Sequence, residues 1–307
     1  MSGTPFKQNS VLTAIALGYS NRNFIADVVC PRAEVLTRDF RYTEFNLADS
    51  YTIPNTMVGR KGRPNEVEFG AEEKSSFVND YGLEDAIPQH DIDAASNHPT
   101  FNPLNRATSK LTELVMLDRE KRVANMIMNA NSYVHKESLS GADKWTDSAS
   151  KPLVQIADAI ETPIVAPNVM VLSRKEALEL RRNPSVVKSF NGTLGDDGLV
   201  PMEWIRQQLE LDQIIIGSAR YNTSNKGQPV NLGKLWTGGA ALIHLKPAAQ
   251  VQDDVTFCLT AEWGSKVAGS FEDESIGLRG GQRVRVGESI RELILAADAG
   301  YYLDSVI

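Results

Sequence analysis

The sequence predicts an α+β protein whose helical and strand-forming stretches are sorted along the chain. Three observations predict it. The stretch from Pro103 to Ala130 carries no Gly and no internal Pro, and most of its residues favour a helix. From Lys151, apolar strand-like runs alternate with helical segments over about one hundred residues, the size of a domain. From Val255 the apolar residues recur with a period of two.

The 307 residues are enough for a sizeable core and two domains, and 42% hydrophobic with 23% charged residues is ordinary for a folded chain. Net charge is −7 without a long basic run, which argues against sequence-specific nucleic-acid binding and its clustered positive footprint. A mildly acidic surface does suit a protein that stays near nucleic acid without adhering to it. Cys30 and Cys258 form neither a C-x-x-C motif nor a disulfide framework, so a reducing compartment and two buried thiols are expected. The apolar run Val11–Leu17 follows a single Lys7 and is too short for a convincing signal peptide. No run approaches a membrane span. The sequons at Asn191 and Asn222 are read as chance matches.

Residues 1–45 hold apolar clusters of no clean period, an arm that needs a surface to lie on. In 46–80, Tyr51–Val58 reads as extended but is confined by Pro54 to an edge or bulge. Gly59-Arg60-Lys61-Gly62-Arg63-Pro64 is a basic turn, and Val67-Glu68-Phe69 a return strand. Glu66, Glu68, Glu72 and Glu73 follow the tip, so opposite charges share one projecting hairpin. It either folds back on its own body or lies on a neighbouring copy. Tyr81–Pro88 reads as a short helical or turn segment, and Gln89–Asn102 as a polar lead-in.

In the long helix, Met116, Val123, Ile127 and Ala130 share a face, with Leu117, Ala124 and Met128 beside them. The charged run Asp118–Arg122 is predicted to meet water on most sides. Roughly 22 residues span about 33 Å, the reach of a strut between packed regions or of a long surface helix on one globule. Ser138–Ser150 reads as a loop.

Ser150 and Pro152 open a helix through Ile160, and Ile164–Leu172 is an apolar strand region. Ser173 and Glu176 form a capping box for a helix through Arg182, stopped by Pro184. Residues 191–198 are a Gly-rich loop, Pro201–Leu211 a helix, Gln213–Gly217 a buried strand, 221–233 a second polar loop, and Ala240–Leu245 another strand. Alternation over Val255–Trp263 and Arg283–Val286 marks strands, and the apolar end Tyr301–Ile307 is expected inside a sheet.

No P-loop, G-x-G-x-x-G, G-x-S-x-G or H-E-x-x-H is present. His90, Asp91, Asp93 and His98 carry metal-binding donors, but their Asn/Pro-rich surroundings fit a solvated turn at least as well. Asp196-Asp197 in its Gly-rich loop has too few neighbouring oxygens for Ca²⁺. Lys61 could attack an amide if a neighbour supplied a base; a free surface lysine is the plainer reading.

The order of arm, projecting hairpin, long helix, α/β unit and closing β segment resembles the major capsid proteins of tailed bacteriophages, the Hong Kong 97-type fold shared with encapsulin shells. The resemblance spans nearly the whole chain. It is carried by the order and spacing of Tyr81–Ile87, the helix from Ala107, Ile214–Asn222, Leu235–Ile243 and Ala296–Leu303. It implies an N-terminal arm over 1–45, an extended loop over 46–80 lying on the next subunit, and a peripheral domain over 81–150 with a spine helix over 107–130. It further implies an axial domain over 151–248, a return to the peripheral domain over 249–290, and a C-terminal strand, 291–307, joining the axial sheet. Arg60, Lys61 and Arg63 at the loop tip, with Glu66, Glu68, Glu72 and Glu73 on the return arm, would then touch a neighbour.

The implied function is self-assembly into pentamers and hexamers that close as an icosahedral head around double-stranded DNA, without cofactor, enzymatic activity or membrane. The implied location is the virion, after assembly in the host cytoplasm. A portal and non-specific contact with the packaged DNA are further implied. No long charged helix precedes the arm, so a separate scaffolding protein is expected. Some family members cross-link a loop lysine to a neighbour's asparagine, and Lys61 and Lys74 lie in that region. The partner asparagine and catalytic glutamate cannot be aligned, so that chemistry is not carried over. The alternatives are an encapsulin-type nanocompartment shell and a soluble α/β enzyme with its site in the loops 191–198 or 221–233.

Overall fold

A computed structural model describes residues 6, 8–45, 53–66, 71–96, 102–192, 195–225, 227–246 and 255–307. Two five-stranded sheets are present among the described residues, and one apolar cluster, holding Cys258 of the first and Val171 and Ala241 of the second, joins them. The arm supplies helices α1 (Ser10–Gly18) and α2 (Ala26–Val29) and strand β1 (Arg32–Glu34). Strands β2 (Asp39–Phe45) and β3 (Ala71–Phe77) pair as an antiparallel ribbon, and β4 (Asn79–Pro88) follows. Helix α3 (Gln89–Ser96) precedes the long α4 (Pro103–Ile127).

Beyond β5 (His135–Ser138) come α5 (Pro152–Glu161), β6 (Val169–Ser173), α6 (Arg174–Arg182), α7 (Pro184–Asn191), α8 (Met202–Gln208) and β7 (Gln213–Gly217). A small hairpin, β8 (Arg220–Asn222) and β9 (Leu232–Lys234), leads to β10 (Gly239–Ile243). The chain closes with β11 (Cys258–Glu262), β12 (Val267–Asp273), β13 (Gly281–Ile294) and β14 (Gly300–Asp304).

The first sheet is built on β13. One edge of this strand carries β4 over Gly281–Ile290. Its other edge carries β12 over Gly281–Gly287 and then β11 over Ile290–Ile294. The arm joins through β1, parallel to β11. In the second sheet the order is β5-β14-β10-β6-β7, so the last strand lies between β5 and β10. Residues 291–294 belong to the first sheet, and β14 alone enters the second.

Several expectations are corrected. Tyr81–Pro88 is strand, not helix or turn: Glu84 and Asp85 lie opposite Arg285 and Val284, and Glu84 pairs with Arg283 at 3.9 Å and with Arg285. Cross-strand charge overrides the weak strand propensity of Gly-Leu-Glu-Asp. The hairpin arms are β2 and β3, further out than expected. Residues 53–58 are not strand, and Pro54 and Pro64 could not donate to a ladder; Tyr51 and 67–69 lie outside the described residues. Gln89–Ser96 is helical, His135–Ser138 is a strand, and Pro184 starts a second helix at its first turn instead of only ending the one before. Within 221–233 the loop ends pair as β8 and β9.

The arm also finishes itself. Leu12 and Ala16 of α1 pack with Ala107 and Leu111 of α4 and with Ala268, Val284 and Val286. Asn9 N–H donates to the Ala268 carbonyl at 3.0 Å, and the Thr13 hydroxyl to the same oxygen at 2.9 Å.

Asn102 caps α4, accepting from the N–H groups of Leu104 and Asn105, and Pro103 presets the first turn. The buried stripe runs through Leu111, Val115, Arg119, Val123 and Ile127; Met116 is only half-buried. The charged middle of the helix is therefore not solvated all round.

Candidate functional site

Two constructions serve contact between segments: a projecting ribbon, and a buried pair of charges that locks the arm to the body. The ribbon grows from a small apolar root in which Phe40 and Val78 pack with Leu259, Ala261, Leu293 and Leu295. Arg38 pairs with Asp80 at 2.6 Å beside it. Beyond the root, charged side chains pair across the ribbon. Arg41 pairs with Glu73 at 3.0 Å, and Glu44 with Lys74, so cross-strand ion pairs set the register instead of a buried face.

Every described residue from Ile53 to Glu66 is exposed, Ile53 at 93% and Met57 at 83%. The hydrogen bonds of this loop are local: Gly62 N–H donates to Gly59 O at 2.8 Å, and the Asn65 side chain to Asn55 O at 2.7 Å. Arg60, Lys61 and Arg63 thus stand together on the tip, with Glu66 on the return. Glu73 is instead engaged within the ribbon. Glu72 lies across from Glu44 in β3, but its side chain is outside the described residues, as is Glu68 altogether.

The lock was not foreseen. Glu120, fully buried, accepts from Ile25 N–H at 2.9 Å, Ala26 N–H at 2.8 Å and Trp236 Nε1–H at 2.7 Å. Burial pushes its carboxyl up, and those donors pull the other way. Arg119 reaches the Thr260 hydroxyl at 3.0 Å, Cys30 O at 3.2 Å and the Asp27 carboxylate. Asp27 also holds Arg32 at 2.7 Å, and Arg32 continues to Glu262 and Glu288, each at 2.9 Å. Adjacent residues on one helix so fix the arm, the first sheet and the β9–β10 turn. Cys30 and Cys258 are buried and unbridged here; the Cys258 thiol donates to Val29 O at 3.2 Å. One sequence signal existed: Arg119 sits four residues from both Val115 and Val123, inside the apolar stripe.

Asp27 is partly buried, which works against its ionisation, but Arg119 and Arg32 outweigh this and hold it below its ordinary value of 3.8. A depressed carboxyl contributes fully above its unfolded pKa and loses that contribution as pH falls through the folded one. Arm docking is therefore expected to weaken as pH falls below 3.8, and Asp27→Asn should flatten that acid limb. Cleavage of the arm by an acid-active protease across a pH series checks both.

The remaining chemical candidates do not converge. His90 contacts Asp91 at 3.0 Å on an exposed helix, Gln89 donates to Asp93 at 2.8 Å, and His98 is outside the described residues. Asp196 and Asp197 are exposed. Among the described residues no cluster of three or more His, Cys, Asp or Glu side chains could hold a metal ion, and no helix is long and apolar enough to cross a membrane.

No family model matches the chain. Its sequence is 47% identical over 310 aligned positions to the major capsid protein of Pseudomonas phage JBD67, covering 100% of this chain and 99% of that one. Its fold is similar to that of a phage-related protein from Bordetella bronchiseptica RB50, with a TM-score of 0.78 at 20% identity over 99% of this chain and 98% of that chain. The capsid structure of the cyanophage P-SCSP1u shares the fold at a TM-score of 0.53 and 12% identity, over 99% and 92% of the two chains. The identity across the full length, with a capsid fold organised around one long helix and a projecting ribbon, places this chain among the phage major capsid proteins of the Hong Kong 97-type fold.

Proposed function

We propose that this chain forms the shell of a phage head by assembling as pentamers and hexamers, with its exposed loop lying on the next subunit. One observation carries the reading: a basic, apolar-flanked loop, exposed at every described position, stands on a ribbon rooted in a finished core. A heterologous contact of this kind closes into rings when its rotation allows. The subunit is structural and not an enzyme; the loops 191–198 and 221–233 contain no His, Cys or Glu to act as a base, and their two aspartates are exposed. Full-length identity to a phage capsid protein favours this reading over an encapsulin-type compartment.

The closed shell is icosahedral, assembles in the host cytoplasm with a separate scaffolding protein and a portal, and contacts packaged double-stranded DNA non-specifically, as its net charge of −7 suits. Deleting residues 56–66 tests the central step. The variant should keep the far-UV spectrum and unfolding midpoint of the intact subunit yet form no shells by negative-stain microscopy. Shells of normal size from the variant, or an unfolded variant subunit, would end the reading.

A further inference from the structure

The arm meets the body at a pair of thiols. In the parallel register of β1 on β11, Arg32 stands opposite Thr260, and two steps upstream Cys30 falls opposite Cys258. Pairing persists ahead of β1, where Thr260 N–H donates to Pro31 O at 2.7 Å. Partnered positions on adjacent strands lie about 4.8 Å apart, inside the Cα separation of about 4.4–6.8 Å that a disulfide spans. The side chains converge. The Cys258 thiol reaches Val29 O at 3.2 Å, the Thr260 hydroxyl lies 3.3 Å from Cys30 Sγ, and the two thiols are within hydrogen-bond reach of each other. Both residues are fully buried in the apolar cluster that joins the two sheets, and the chain has no other cysteine to compete for either. Burial opposes charging of both thiols. Hydrogen bonds from Cys258 and Thr260, with the Arg119 guanidinium nearby, nonetheless hold Cys30 below its ordinary value, whereas burial pushes Cys258 well up.

We propose that Cys30 and Cys258 form a closable cystine that staples the arm to the first sheet once the protein meets a small-molecule disulfide such as oxidised glutathione. A reducing cell keeps the pair as thiols, and the oxidising medium outside it favours the bond. While the arm is docked, burial shields both sulfurs. When the arm lifts, Cys30 leaves with it and Cys258 is uncovered beneath. The Cys30 thiolate then attacks one sulfur of the glutathione disulfide, and the first glutathione leaves as a thiolate that takes up the Cys30 proton. Cys258 attacks the Cys30 sulfur in turn, gives up its proton and releases the second glutathione. Two protein thiols are oxidised and one small disulfide is reduced to two thiols. The bond is internal to one copy and needs no neighbour, wherever the exposed loop lies. It closes a loop of about 230 residues, which strongly constrains the unfolded chain. It also sits three residues beyond Asp27, so it holds the arm under the acid conditions that weaken the Asp27–Arg119 pair.

The test uses the folded full-length chain. It is incubated with oxidised glutathione at mildly alkaline pH, quenched with acid, unfolded in N-ethylmaleimide and weighed by mass spectrometry. The product should be lighter by two hydrogens, carry no maleimide, and yield on digestion a peptide that joins residue 30 to residue 258. Its thermal midpoint should lie about 5–10 °C above that of the reduced chain. Glu120→Gln, which loosens the arm, should close the bond about 5- to 30-fold faster, because oxidation passes through the lifted arm. Cys258→Ala should show neither the bond nor the rise in midpoint. Thiols that stay open to maleimide in both the native chain and Glu120→Gln, glutathione retained on either cysteine, or covalent dimers would overturn the proposal. A bond that closes at equal rates in the two proteins would overturn the route through the lifted arm, and one that leaves the midpoint unmoved would overturn its role as a staple.

Discussion

Replacing Glu120 by alanine is expected to lower the stability of the folded subunit by about 3–5 kcal/mol. The side chain is fully buried and accepts from two arm N–H groups and the Trp236 indole. Each donor stranded without water costs about 1–3 kcal/mol. Relief from burying a carboxylate, the same burial that raises its pKa, offsets part of that sum. Glu120→Gln keeps the shape and one acceptor oxygen, so its loss should be smaller, about 1–2 kcal/mol. Urea unfolding followed by tryptophan fluorescence measures both, since Trp236 itself reports on the site. A loss below about 1 kcal/mol for the alanine variant would mean that relaxation or water replaces the carboxylate and that the lock is not one.

The acid behaviour of Glu120 is opposite in sign to that of Asp27. With its folded pKa above the ordinary 4.5, it favours the folded state most below that value and loses that contribution as pH rises through the folded pKa. The two variants should therefore tilt the acid limb of the stability curve in opposite directions, which a shared, non-specific loosening of the arm would not do.

What the sequence revealed and what it hid follow a physical line. The long helix was readable because its signals are local: Asn102 and Pro103 mark its start and no breaker interrupts it. The basic turn at 59–64 was readable for the same reason, and its tip residues do stand together in solvent. Arg119 and Glu120 misled because their partners lie 89 to 141 residues away, and a charged pair with no visible partner reads as a solvated face. The ribbon strands misled for a related reason. Asp39–Phe45 and Ala71–Phe77 are held across the ladder by ion pairs, and neither shows a clean apolar alternation. Strand β4 is the intermediate case: only Ile87 is buried, and the arginines that fix it come some two hundred residues later. The loop's candidate contact residues could be named from sequence because they fall within one short turn and the arm that follows it.

Ending the chain after Ala299 is expected to abolish folding of the second sheet altogether. Residues 300–307 supply β14, which pairs with β10 over Gly239–Ile243 and with β5 over His135–Ser138. Tyr302, Leu303 and Val306 are essentially fully buried. Burying side chains of this size stabilises by about 1.5–3 kcal/mol each, so their loss alone removes about 4–9 kcal/mol, comparable with the whole stability of a domain. The loss is not confined to the edge. Removing a central strand parts β5 from β10, and Tyr133, stacked between Phe257 at 4.6 Å and Tyr302 at 5.3 Å, loses one neighbour. The Trp145 N–H, which donates to Val306 O at 2.7 Å, is left unpaired as well. Leu303→Ala should show the graded form of the same effect, about 2–5 kcal/mol in urea unfolding, while the truncated chain should be insoluble or lack the near-UV tryptophan signal. A soluble, cooperatively unfolding truncated chain would mean that β5 or another segment can close against β10 unaided. With the sheet as it stands, β14 is what ties β5 to β10, so neither strand has its partner on that edge without residues 300–304.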